Sequence, residues 1–216
     1  MFQGISIVRK IPSIAEIYLT FDDGPDEAST PAVLDVLAET NTRATFFVIA
    51  EKAKRSPELL QQMVRAGHSI GNHSLDHRWG KYFQGKLKLK EWVSDSEKTL
   101  QDLSGQKTVG FRPPAGVWTP ELRFALNELS MPLVLWNVRY FDTQFRFTRE
   151  RAERSSQKLD AGSIILLHDR KAKDELIEFS SSLRILIELQ KMKARNFMPM
   201  SLELNRKVAG ILAESQ

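Results

Sequence analysis

The chain has 216 residues, 42% of them hydrophobic, and a formal net charge of +4. That length suffices for one substantial core and fits a single α/β domain of barrel size spanning residues 1–216. Cysteine is absent, which excludes disulfides, thiolate metal sites and a cysteine nucleophile, so any metal must be held by nitrogen and oxygen.

Taken in chain order, residues 1–10 show no long apolar run after a basic start and read as neither signal peptide nor membrane span. On that reading the protein is cytoplasmic, or a leader has been removed. Strand-like apolar runs follow at 17–21, 44–49, 108–111, 133–136 and 163–167, separated by segments of helical periodicity. Thr30-Pro31 and Thr119-Pro120 carry N-cap and first-turn signals, and Ser56-Pro57 opens a helix through Leu59, Leu60 and Met63 that Gly67 ends. Leu89, Trp92, Val93, Leu100 and Leu103 outline a further helix ending near Gly105. A last long helix is expected from about 174 to 192, with Leu176, Ile177, Leu183, Leu186, Ile187 and Leu189 as its buried stripe. Strand-helix alternation without repeats or linkers predicts a parallel sheet, most economically one (β/α) barrel. Chemistry in such barrels gathers at the carboxyl ends of strands, where both Asp22-Asp23 and His168-Asp169 fall.

Two of the four histidines, His73 and His77, lie four residues apart in Gly71-Asn72-His73-Ser74-Leu75-Asp76-His77. On a helix or helical turn both imidazoles would share one face, and neutral imidazole suits zinc-like ions. The pair needs a third ligand, and Leu19-Thr20-Phe21-Asp22-Asp23-Gly24-Pro25 ends an apolar run in two carboxylates and a turn. One carboxylate could bind metal and the other could handle protons. Lysine and arginine are interspersed with aspartate and glutamate as on solvated faces, although the net charge favours anionic partners such as cell-wall polymers. No basic stripe interleaved with aromatics marks nucleic-acid binding.

In order, Thr20-Phe21-Asp22-Asp23-Gly24-Pro25, His73-x3-His77, Phe111-Arg112-Pro113-Pro114-Ala115-Gly116 and Leu166-Leu167-His168-Asp169 resemble the motifs of the polysaccharide deacetylases, the carbohydrate esterases of NodB homology. The resemblance spans roughly residues 17–200. It implies a distorted (β/α) barrel, TIM-barrel-like, and a divalent metal, usually Zn2+, with Co2+, Ni2+ or Mn2+ as alternatives. It also implies hydrolysis of N-acetyl or O-acetyl groups on an acetylated glycan, here peptidoglycan or an N-acetylglucosamine oligomer, outside the cytoplasm. By the same resemblance Asp23, His73 and His77 are metal ligands, Asp22 the general base and His168 the general acid. Arg112 orients Asp22, Asp142 holds His168 in its protonated form, and the backbone N–H of Ala115 stabilises the oxyanion. Pro114 and Ala115, with Trp136 and Leu166 around the acetyl group, are the expected substrate-binding residues. Membrane spans are not expected, and oligomeric state is left open.

Each motif has a plainer reading by itself. Asp22-Asp23-Gly24-Pro25 is a strand-ending turn, Arg112 a surface salt-bridge donor, Asn72 a turn or cap residue, Trp136 core, and 169–175 a solvated loop. His68, outside every motif, reads as structural. The chain also departs from the family pattern, with Ala115 where an aromatic is common and Arg139 and Thr143 where Asp and Trp are common. Losing those rings removes stacking faces for sugars. The departures keep two alternatives open: a hydrolase of another acyl or amide group, and a catalytically weak carbohydrate-binding relative.

Overall fold

The structure, a computed structural model, describes residues 7–210, so residues 1–6 of the stretch read above for a leader lie outside the described residues. The elements in order are β1 (Glu16–Asp22), α1 (Thr30–Glu39), β2 (Thr45–Val48), α2 (Ala50–Arg55), α3 (Pro57–Arg65), β3 (Ser69–Asn72), α4 (Lys86–Ser104) and α5 (Pro120–Glu128). They continue with β4 (Val138–Arg139), α6 (Arg149–Ser156), β5 (Ile164–His168), α7 (Leu176–Met192), β6 (Asn196–Phe197) and α8 (Leu202–Ala209). The strands run parallel in the order β3-β2-β1-β5-β4, with β6 against the start of β1. Single bridges from Asn72 to Phe111, from Phe111 to Leu133 and from Val134 to Val8 carry the wall onward from β3 towards β4. The result is a distorted (β/α) barrel. No helix among the described residues is long and apolar enough to cross a membrane.

Alternation along the strands divides the core. Ile17, Leu19 and Phe21 of β1 pack with Phe46 and Val48 of β2 and Ile165 and Leu167 of β5 against Val33, Leu37, Leu183, Leu186 and Ile187 of the helices. The intervening positions, Tyr18 of β1, Phe47 of β2 and Ile164 of β5, fall in a separate cluster. Side chains on a strand point alternately to opposite faces, so Thr20 and Asp22 share the face of Tyr18, and Leu166 and His168 share that of Ile164. The inward row therefore changes from apolar to polar and ionisable side chains towards the carboxyl ends, above a floor whose large side chains each contribute about 1.5–3 kcal/mol by burial.

The runs at 108–111 and 133–136 form isolated bridges at Phe111, Leu133 and Val134 instead of strands. Pro113, Pro114 and Pro132 have no amide to donate, and Gly110 takes φ 144° beside the Pro132 carbonyl, so a regular ladder cannot extend there. Ser29 occupies the N-cap position of α1 and Thr30 lies inside the helix; the Thr30 hydroxyl donates to Asp169 Oδ2 at 2.6 Å. Thr119 does cap α5, accepting from the Leu122 amide at 3.2 Å. The α7 stripe is shifted: Ile177 is 83% exposed and Leu189 half-buried, while Phe179, Ser182 and Gln190 are buried. Gln190 earns burial by donating to the Ser156 carbonyl and hydroxyl across from α6.

Candidate active site

Asp22 ends β1 in register with His168 of β5, and the chain then turns through Asp23 in the left-handed region (φ 76°). Gly24 is required by close approach, because a Cβ there would overlap the buried Asp169 carboxylate. His73 follows β3, its amide bonded to the Val48 carbonyl at 2.9 Å. The His73-x3-His77 segment is a loop, not the expected helical turn. Ser74 (φ 75°) and His77 (φ 58°) both adopt left-handed backbone, and that loop brings the ring centroids to 5.2 Å. Asn72 holds the loop: its buried side chain accepts from the Ser74 amide (2.9 Å) and Ser96 hydroxyl (2.6 Å) and donates to Glu97 (3.3 Å). It does more than cap a turn, since it ties the His73–His77 loop to α4.

The Nε2 atoms of His73 and His77 each lie 3.4 Å from Asp23 Oδ1. Asp23 Oδ1 is itself buried with no hydrogen-bond partner, an orphaned anionic oxygen facing two imidazole nitrogens. One ligand atom from each residue falls within 4.8 Å of the others. His73 Nδ1 contacts the Arg112 carbonyl at 2.7 Å, and because a carbonyl only accepts, Nδ1 carries a proton, which directs Nε2 to be the atom that offers a lone pair to a metal. Burial and the neighbouring His73 lower the His77 pKa, which favours the neutral form of that ring. Burial alone would raise the Asp23 pKa, but the close imidazoles of His73, His168 and His77 hold it well below the usual carboxylate range. A carboxylate and two neutral imidazoles form the donor set that divalent zinc-like ions take, so these residues fit a metal.

Arg112, read by itself as a surface donor, is completely buried. Its Nη1 donates to Asp22 Oδ1 (2.7 Å) and Thr20 Oγ1 (2.6 Å), its Nη2 to the Leu135 carbonyl (3.1 Å), and its guanidinium lies 3.8 Å from the Phe47 ring centroid. One Asp22 oxygen is thus occupied, while Oδ2 stands 3.8 Å from His73 Nε2. Asp142 accepts from His168 Nδ1 at 2.9 Å and from the His168 amide at 2.9 Å. Burial lowers the His168 pKa, but the Asp142 bond and charge, with Asp22 and Asp23, outweigh it and raise the pKa.

The 169–175 segment is not simply solvated. Asp169 is fully buried, and the 3% exposed side chain of Lys171 pairs with Asp142 at 2.6 Å. Lys52 donates to the Asp23 carbonyl at 2.6 Å. Asn72, Thr20, Lys52, Asp169 and Lys171 all support the site, and sequence reasoning did not single them out for it. Thr20 and Asp169 lay inside the motifs and Asn72 beside His73, while nothing in the local sequence signalled Lys52 or Lys171. His68 is structural: its Nδ1 accepts from the Ala44 amide at 3.2 Å, and burial lowers its pKa to about 4.

A cavity of about 240 Å³ is lined by Asp22, Asp23, His73, His77, Ala115, Trp136, Leu166 and His168, together with Arg139 and Thr143. Pro114 does not line it. Pro114 is buried at the start of a short 3-10 turn and accepts the Val117 amide, so its part is to set the backbone on which exposed Ala115 (φ 54°) projects. Trp136 is half-buried, with its ring packed over Gly116, and is not simply core.

The polysaccharide deacetylase family model matches residues 10–134. The chain belongs to the polysaccharide deacetylase family. It is 35% identical over 162 residues to the chitooligosaccharide deacetylase of Azorhizobium caulinodans, covering 74% of this chain and 77% of that one. It is 34% identical over 172 residues to the peptidoglycan-N-acetylmuramic acid deacetylase PdaC of Bacillus subtilis, covering 77% of this chain and 36% of that longer protein. The crystal structure of the Bc1960 peptidoglycan N-acetylglucosamine deacetylase superposes with a TM-score of 0.81 at 28% identity, covering 90% of this chain and 91% of that one.

Proposed function

We propose that this chain is a metal-dependent hydrolase that removes acetyl groups from an N-acetylated glycan, its chemistry carried by a single catalytic domain. The observation that carries the reading is the facing pair Asp22 and His168, in register on adjacent strands beside the Asp23-His73-His77 cluster. Asp23, His73 and His77 would hold a divalent cation, with zinc the simplest choice for two imidazoles and a carboxylate. When bound, the ion supplies Lewis acidity and a more acidic water.

Asp22, with Oδ1 committed to Arg112, has Oδ2 to accept the proton of the attacking water. His168, whose charged form Asp142 favours, can donate from Nε2 to the departing amine nitrogen. The carbon–nitrogen bond of the acetamide breaks, and acetate and the free amine leave. The Ala115 amide is the candidate backbone donor to the developing oxyanion, and Leu166 and Trp136 enclose the acetyl methyl while excluding water.

Relatives named for chitooligosaccharide and peptidoglycan deacetylation support an acetylated cell-wall or related glycan, met outside the cytoplasm. Acetate release from N-acetylglucosamine oligomers and peptidoglycan fragments, measured on metal-stripped protein with and without added zinc, tests the reading. Restoration by zinc is expected. Bound zinc without release from any acetylated glycan would move the assignment to another acyl substrate or to glycan binding alone.

A further inference from the structure

The cavity wall holds a cation that hydrolysis of a neutral acetamide does not use. Arg139 of β4 pairs in register with Leu166 of β5, two residues before His168 on the same face of that strand. Arg139 therefore lies about 7 Å along the strand from the level of the proton donor, and its side chain lines the same cavity. Its guanidinium carbon is 4.5 Å from the Phe141 ring centroid and 5.7 Å from that of Trp136. Its Nε is buried without a hydrogen-bond partner, and no carboxylate among the described residues pairs with it. The other buried cations of the site are engaged, Arg112 with Asp22 and Lys171 with Asp142.

Contact with two aromatic rings restrains the guanidinium and strips water from it, while its donor edge stays suited to a carboxylate. Neutral N-acetylglucosamine offers that edge only hydroxyls, which leave the charge uncompensated. Building on the deacetylase reading, we propose that Arg139 is a specificity-determining residue that binds a carboxylate carried by the glycan close to the scissile acetamide. The enzyme then selects an acidic N-acetylated glycan over a neutral one. Two sources supply this chemistry. A lactyl ether on the acetylated sugar, free of peptide, places a carboxylate on the neighbouring ring carbon, and a uronic acid places one on the adjoining sugar.

The test compares kcat/KM for acetate release by the zinc-loaded protein on three oligomers of equal length: peptide-free muramoyl glycan, an alternating N-acetylglucosamine–uronic acid glycan, and neutral N-acetylglucosamine. The wild type is expected to prefer one acidic oligomer ten- to a hundredfold, the range of a charge-assisted hydrogen bond, and the preferred arm identifies the source. In R139Q the acidic-to-neutral ratio should collapse towards one. R139K keeps the charge without the planar edge and should lower the ratio several-fold, which decides the matter if R139Q does not fold. No acidic preference in the wild type, or an unchanged ratio in the variants, overturns the role of Arg139 while leaving the deacetylase intact. If no oligomer releases acetate, calorimetric titration with the same three glycans still decides: tighter acidic binding that R139Q loses supports the carboxylate contact, and equal binding refutes it.

Discussion

Arg112 grips His73 through its backbone: the Arg112 carbonyl accepts the His73 Nδ1 proton at 2.7 Å, while the Arg112 guanidinium holds Asp22, also at 2.7 Å. One residue thereby sets the tautomer of a proposed metal ligand and the orientation of the proposed base, through different atoms.

That separation makes an uneven phenotype the expected one for Arg112→Lys. The carbonyl survives, so zinc affinity measured by chelator competition should stay within a few-fold of wild type. Turnover should fall by about 10²-fold or more as Asp22 loses its fixed donor. Arg112→Met, which strands a buried carboxylate, should also destabilise the fold by about 3–5 kcal/mol in denaturant titration. Loss of metal in Arg112→Lys equal to the loss of turnover would break the argument.

Asp22 and His77 divide in the same way. Asp22→Asn should bind zinc normally and lose about 10²–10⁴-fold in kcat, whereas His77→Ala should lose both metal and activity. Near-normal turnover by Asp22→Asn would remove it from the mechanism. His168→Ala should resemble Asp22→Asn, retaining metal.

The His168 pKa, raised by Asp142, fixes the sign of a pH effect. The proton donor must be charged, so kcat/KM should decline as pH rises through a value above 6.5, the ordinary histidine figure. Replacing Asp142 with Asn removes the negative charge and should move that alkaline limb towards acid, by about one pH unit. A limb that stays in place in the variant would mean that another group sets it.

Asp169 bears on stability rather than rate. Burial, opposed in part by the Thr30 hydroxyl, raises its pKa to about 7. The folded state then holds a proton that the unfolded chain has already lost, and the associated stability is present at low pH and disappears as pH rises through about 7. Metal-free wild type should lose on the order of a few kcal/mol across that window, and Asp169→Asn should not. Parallel thermal melts of the two proteins from pH 4 to pH 9 would show a gap in favour of Asp169→Asn that opens as pH rises to about 7 and then levels off, and a constant gap would contradict the assignment.

Much of this was legible in the chain. The apolar runs at 17–21, 44–49 and 163–167 become β1, β2 and β5, which carry the central wall and place Asp22 opposite His168. Strand β3 escaped notice because Ser69, Gly71 and Asn72 dilute its apolar character, and β4 and β6 are only two residues long. The ligand set could be listed from motif resemblance, but the loop geometry of His73 and His77 could not, because it depends on two left-handed residues and on Asn72 reaching α4. Lys171 and Asp169 looked like surface charge for a similar reason: their partners Asp142 and Thr30 are distant in sequence, and local patterning carries no record of them.

The barrel wall is unequal around its circumference. Asp22 and His168 stand on continuous ladders, whereas Ala115 and Trp136 hang from the stretch joined by isolated bridges at Phe111, Leu133 and Val134. The Asp22–His168 pair and the Ala115–Trp136 side of the cavity consequently have different mechanical foundations, while Arg139 sits on the short β4–β5 ladder. A lineage could remodel the loosely stitched side to reshape the cavity while the tightly laddered side kept Asp22 and His168 facing each other, which makes that seam a place to begin when redesigning what the cavity accepts.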